Sequence, residues 1–277
     1  MNALEIHGLR KSYGDFSLDG IDLALPSGCI MGLVGENGAG KTTTIKLVLD
    51  MLRKDGGSVR ILGKDSAECD REDIGVVLDE VGLPACLNAR QVDRIMQKAY
   101  RRWNSDEFYS YLERLAVPKD KPFSKLSRGM KMKLGIACAL SHDAKLLILD
   151  EATSGLDPVV RDEVVDMLLD FTRREDHSVL ISSHIVSDLE KLCDYIAFVH
   201  KGKLMLCQEK DLLCEQYGII RCDAEAFKDI APAAVIGKRV SAFGVEAIVL
   251  RDEIPDGLTV SPVSIEELFV FMVKEAA

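Results

Sequence analysis

Apolar and polar residues alternate from Leu4 to Leu9 and again from Phe16 to Leu25, the period-2 pattern of half-buried strands. The second run stops at Pro26-Ser27-Gly28, a turn sequence. From Cys29 to Val34 the pattern becomes unbroken apolar, as it does at Ile74–Leu78, Leu146–Leu149 and most of Val179–Ser183. Strands apolar on both faces belong in a parallel sheet covered by helices. Helical spacing falls between them, over Thr42–Leu52, Asn88–Arg102, Asp106–Leu115, Lys125–Leu140, Pro158–Arg173 and Ile185–Cys193. Pro158 suits a first helical turn. Val59–Leu62 follows the Asp55-Gly56-Gly57 turn as a short strand, and Tyr195–His200, Lys201-Gly202 and Lys203–Cys207 predict a hairpin. Beyond Tyr217 the pattern weakens. Gly218–Cys222, Arg239–Phe243 and Ala247–Leu250 predict short strands. Ser264–Lys274 predicts a closing helix with Ile265, Leu268, Phe269, Met272 and Val273 on one apolar face.

Composition narrows the class. The chain has 277 residues, 47% hydrophobic, enough for a sizeable core, and a formal net charge of −10. An acidic surface argues against nucleic acid as a partner, because phosphate backbones are held by Lys/Arg patches. The eight cysteines are scattered, with no C-x-x-C pair, so neither a zinc site nor a disulfide framework is expected; they read as reduced thiols in a cytosolic protein. No signal peptide is expected at Met1–Arg10, and no apolar run reaches the roughly 18–20 residues that span a bilayer. Membrane association is expected only through a partner.

Two stretches carry chemistry. Gly35-Glu36-Asn37-Gly38-Ala39-Gly40-Lys41-Thr42-Thr43 fits G-x-x-x-x-G-K-[ST] and lies between an apolar strand and a helical run. Glycines let successive backbone N–H groups curl around an anion, and the helix behind adds its positive end. Lys41 is placed to reach the β- and γ-phosphates, and the Thr42 hydroxyl to ligate Mg²⁺. The second stretch is Leu146–Leu149 followed by Asp150 and Glu151. Two carboxylates at a strand end lie where open α/β sheets bind ligands. Asp150 suits the Mg²⁺ shell, and Glu151 suits polarisation of the attacking water.

These motifs are joined by Leu126-Ser127-Arg128-Gly129-Met130, by Ala152-Thr153-Ser154-Gly155-Leu156-Asp157-Pro158 and by Ser182-Ser183-His184. Together they resemble the ATP-binding subunit of an ABC transporter, over roughly residues 1 to 216, with a signature of the drug and antibiotic exporter branch. The resemblance implies a phosphate-loop NTPase core of α/β class: a mostly parallel sheet, an antiparallel β N-terminal subdomain, an inserted α-helical subdomain at about 83–145, and a small α+β C-terminal appendage at 217–277. It implies ATP and Mg²⁺ as cofactors. It assigns Asn37 through Thr43 to the phosphates, Tyr13 to the adenine, Ser127, Gly129 and Asp157 to the nucleotide, Glu151 and His184 to hydrolysis, and Thr42 and Asp150 to the metal.

The signature helix start at Ser127 is a second phosphate site, and the helical insert separates it from the first. The resemblance implies that two subunits face head to tail, so that the Ser127 turn of one completes the site of the other. It further implies an integral membrane permease as partner, a second copy of the chain or a related ATPase subunit across the dimer, no nucleic acid, and a cytoplasmic location on the inner face of the membrane. Asp79 stands where the family has a glutamine that touches Mg²⁺ and water; a carboxylate there can still ligate the metal but adds negative charge near the phosphates. Two other classes fit part of the pattern. A soluble ABC-type ATPase of DNA repair or of the ribosome would share the motifs but lacks support from coiled-coil heptads or zinc cysteines. A phosphate-loop kinase or GTPase would use Lys41 and Asp150 but leave LSRGM and SGLDP without a role.

Overall fold

A computed structural model describes residues 1–242, 244–255 and 257–275. In chain order it opens with β1 (Asn2–Tyr13) and β2 (Phe16–Pro26), paired antiparallel. The buried strand β3 (Ile30–Val34) leads through a loop into α1 (Lys41–Val48). β4 (Gly56–Ile61) returns antiparallel to β1, with the short β5 (Lys64–Asp65) on its edge. This N-terminal sheet has the order β2-β1-β4-β5.

β6 (Ile74–Val77) precedes three helices, α2 (Ala89–Ala99), α3 (Ser105–Arg114) and α4 (Arg128–Leu140). The chain then alternates through β7 (Leu146–Asp150), α5 (Pro158–Phe171), β8 (Ser178–Ser183), α6 (Val186–Leu192), β9 (Tyr195–His200) and β10 (Lys203–Glu209). The central sheet runs β10-β9-β3-β8-β7-β6, parallel throughout except for β10.

The unbroken apolar runs have a direct structural cause. Successive strand residues point to opposite faces. In β7, Leu147 and Leu149 enter the core shared with the helices, while Leu146 and Ile148 enter the core under the N-terminal sheet. β9 divides the same way, Ile196 and Phe198 against Ala197 and Val199. A polar residue at any of these positions would leave one face without cover.

After β10 come α7 (Lys210–Gln216), β11 (Tyr217–Cys222), β12 (Val235–Ser241), β13 (Gly244–Leu250), β14 (Val260–Ser261) and α8 (Ile265–Glu275). Among the described residues these form a second antiparallel sheet, β12-β13-β11-β14. It has a small core of its own around Ile220, Ile230 and Val249. α8 instead joins the main core. Ile265, Leu268 and Phe269 are buried there, and the Phe269 ring lies 5.2 Å from that of Phe198. Phe271 is buried too, with the Arg239 guanidinium 5.3 Å from its ring. The helix is therefore covered on more than the one face its spacing suggests.

Several boundaries differ from the sequence expectation. α1 ends at Val48 rather than Leu52, because Asp50 takes a left-handed φ of 54° and its carboxylate faces Lys54 and Arg71. α2 ends at Ala99 rather than Arg102: Arg101 and Arg102 are drawn to Asp70, Glu72 and Asp73 ahead of β6. The strand expected over Arg239–Phe243 starts earlier, at Val235, and Phe243 lies outside the described residues. The hairpin turn holds: Lys201 and Gly202 both have positive φ, 45° and 77°, the geometry of a tight two-residue turn.

Candidate active site

β3 delivers the chain into the loop Gly35–Gly40 at the end of the central sheet. Gly35 and Gly40 are buried, while Glu36, Asn37 and Gly38 form the exposed tip. Glycine is required at Gly35 because a Cβ there would meet the Val199 carbonyl at 2.5 Å. It is favoured at Gly40, where φ is 114°. Lys41 and Thr42 open α1. The Lys41 ammonium is buried and donates to the Gly35 carbonyl at 2.6 Å and the Glu36 carbonyl at 3.2 Å. Thr44 donates its hydroxyl to the Gly40 carbonyl at 2.9 Å, which ties the loop to the helix.

β7 ends beside this loop. Asp150 is 1% exposed; one carboxylate oxygen, Oδ1, accepts from Ser182 Oγ at 2.5 Å, and the other, Oδ2, is buried with no hydrogen-bond partner. An orphaned carboxylate oxygen at a buried strand end fits a cation ligand. Thr42, exposed at the first turn of α1, supplies a hydroxyl of the expected type. Among the described residues no group of three His, Cys, Asp or Glu forms a protein-only metal cluster.

Glu151 turns out of the strand with a left-handed φ of 55°. For a residue with a Cβ this costs about 1–2 kcal/mol. The turn is held by its N–H, which donates to the Ser182 carbonyl and hydroxyl, both at 3.1 Å. It brings the carboxylate to the centre of the site. Oε1 lies 3.3 Å from the Lys41 ammonium, and Oε2 lies 2.6 Å from Nδ1 of His184, which follows β8. Lys41, Glu151 and His184 thus form one continuous chain of contacts, with Asp150 attached through Ser182.

The remaining sequence-assigned residues lie outside this chain of contacts. Ser127 is the N-cap of α4 and accepts from the Met130 N–H at 3.3 Å. Asp157 caps α5, accepting from the Val160 N–H at 3.1 Å, with Pro158 behind it. Gly129 packs against the loop between them: a Cβ there would lie 3.3 Å from the Gly155 carbonyl. Asp79, two residues beyond β6, forms an ion pair with Arg128 in the signature turn. Tyr13 ends β1, 41% exposed, with the Lys11 ammonium 5.4 Å from its ring.

Sequence reasoning missed the groups behind the phosphate loop. Gly202, in the β9–β10 turn, donates its N–H to the Ala39 carbonyl at 2.9 Å. His200 is buried, with Nδ1 3.5 Å from the Glu36 carboxylate. Phe16 and Leu18 lie within 3.1 Å of a Cβ built at Gly40, so the β1–β2 hairpin rests on the loop. The spacing of the β9–β10 hairpin was readable; the packing of its Gly202 turn against a loop about 160 residues earlier had no local signal.

Residues 18–154 match the family model described as ABC transporter. The chain is 35% identical over 211 residues to a lantibiotic transport ATP-binding protein of Streptococcus pyogenes, covering 75% of this chain and 91% of that protein. It is 36% identical over 203 residues to a bacitracin transport ATP-binding protein of Bacillus licheniformis, covering 71% and 66% respectively. Its fold is similar to a solved ATP-binding subunit of an ABC transporter, with a TM-score of 0.70 at 25% identity over 77% of this chain and 92% of that one.

Proposed function

The chain belongs to the ABC transporter family as an ATP-binding, ATP-hydrolysing subunit, and from that premise we propose that it powers a separate membrane permease that exports a peptide-like antibiotic or related amphiphile. Among the described residues no helix is long and apolar enough to cross a membrane, so the permease is a different polypeptide segment in this reading. The relatives named for lantibiotic and bacitracin transport support a peptide substrate. The proposed location is the inner face of the membrane, against that permease.

The observation that carries the reading is the contact chain from Lys41 through Glu151 to His184. Hydrolysis of a phosphoanhydride needs a charge on the phosphates, a carboxylate that orients and deprotonates water, and a group that orients the carboxylate. Lys41 has the first role. Glu151 has the second, and its strained turn aims the carboxylate at the phosphate loop. His184 has the third, holding Oε2 while Oε1 lies against Lys41, the oxygen left for the attacking water once phosphate takes the Lys41 charge. Mg²⁺ held by Thr42 and Asp150 would neutralise phosphate charge. Tyr13 would stack on adenine.

Ser127 and Asp157 cap the starts of α4 and α5, and Gly129 packs beside Gly155 in the loop before α5. This fits a head-to-tail dimer in which they complete the partner's site. Extraction of the tagged protein in detergent tests the partner: an integral membrane protein should co-purify stoichiometrically, and recovery of ribosomes or DNA-repair proteins instead would favour a soluble ABC ATPase.

A further inference from the structure

Arg128 stands one residue beyond Ser127, in the first turn of α4, and its guanidinium holds Asp79 beyond β6. The arginine stem runs alongside Gly155, whose added Cβ would sit 3.9 Å from Arg128 Cδ. One side chain therefore bridges the segment after β6, the signature turn and the loop that follows the catalytic carboxylates. Both partners are open to water, at 62% and 46% side-chain exposure. A solvent-exposed ion pair of this kind is weak and easily exchanged.

We infer that Arg128 exchanges anions: in the free subunit it is held by Asp79, and in the ATP-bound dimer it binds a phosphate of the nucleotide in the facing subunit. The inference rests on the head-to-tail reading above, which puts the Ser127 turn against the partner's phosphates. Adjacency puts the Arg128 backbone at the same turn, and its long exposed side chain can swing from Asp79 toward that phosphate. The competition is unequal. Asp79 offers one negative charge in water; a nucleoside triphosphate offers several, in a site that the second subunit shields, and guanidinium matches phosphate geometry in a two-pronged fork. Dimer closure thus draws Arg128 off Asp79 and uncovers that carboxylate. The negative charge at position 79 is masked whenever the subunit is alone.

A pair that merely braces the fold makes both substitutions act in the same direction. Exchange makes them act in opposite directions. In a Glu151→Gln background, which lets the ATP-bound dimer accumulate, Arg128→Gln should weaken ATP-dependent dimerisation by roughly ten- to a hundredfold, the loss of charge-assisted hydrogen bonds. Asp79→Asn removes the competitor and should strengthen dimerisation by up to about fivefold, the worth of an exposed pair. With Arg128→Gln already present, Asp79→Asn should change nothing. Arg128→Lys should recover part of the loss. Sedimentation velocity over an ATP titration reads all four. Weakening by Asp79→Asn, or equal effects of Asp79→Asn with and without Arg128, would overturn the exchange. Absence of an ATP-dependent dimer in Glu151→Gln itself would overturn the head-to-tail reading and remove the inference with it.

Discussion

Replacing Glu151 by Gln should move binding and turnover in opposite directions. Glu151 and Lys41 are 3.3 Å apart, with side chains only 13% and 5% exposed. At an effective dielectric constant of about 20, opposite unit charges at that separation attract by about 5 kcal/mol before desolvation is subtracted. Desolvation and the two loop carbonyls that also hold Lys41 reduce the net value to about 1 kcal/mol. An incoming triphosphate must displace this pairing to reach Lys41. Glutamine keeps the shape and the His184 contact but removes the charge that competes with phosphate, so ATP should bind about fivefold tighter. It also removes the base, so turnover should fall by roughly 10²–10⁴. The backbone stays in the same left-handed turn, so thermal stability should be close to wild type. Binding is read by calorimetry in the presence of a chelator, which silences hydrolysis in both proteins, and turnover by phosphate release with Mg²⁺ restored. Turnover within tenfold of wild type would remove Glu151 from the mechanism, and ATP binding weakened tenfold would refute the competition argument.

Lys41→Ala should weaken ATP binding by roughly ten- to a hundredfold, because a charge-assisted hydrogen bond to phosphate is lost; an unchanged titration would sink the phosphate-loop assignment. Leu268→Ala, at a fully buried position of α8, should cost about 2–5 kcal/mol in urea unfolding, and a chain ending at Glu215 should fail to fold stably because Phe198 loses its cover. A folded, ATP-binding truncation would show instead that residues 217–277 are an independent appendage. Burial opposes ionisation of Asp93, but hydrogen bonds from Ser105, Trp103, Tyr109 and Gln97 outweigh it and hold the carboxyl below the usual range. Its folded value is depressed, so its contribution to stability is complete above the unfolded value of about 3.9 and is lost as pH falls through the folded one. Asp93→Asn should therefore flatten the acid limb of a stability–pH profile, and an unchanged limb would contradict the assignment.

The central strands were legible because burial on both faces leaves few polar positions, which is a local property of six-residue windows. So were the phosphate loop, the Asp150-Glu151 pair and the Ser127 cap, each written in consecutive residues. Contacts between distant segments were not. Nothing near Phe269 says that it meets Phe198, and α8 reads equally well as a free amphipathic helix. Asp79 looked like an unbalanced charge until the fold put Arg128, 49 residues away, beside it. The left-handed turn at Glu151 was also hidden, since the sequence has a glutamate where the conformation favours glycine or asparagine.

Shared nucleotide sites are tested most directly by mixing two inactive subunits. Lys41→Ala disables the phosphate loop and Ser127→Arg disables the signature turn, so each homodimer has two damaged sites. In a mixed dimer one site carries both lesions and the other carries neither. Steady-state phosphate release from an equimolar mixture should rise to about a quarter of the wild-type rate, since half of the dimers are mixed and half of their sites are intact. A mixture as silent as its two components would contradict the account.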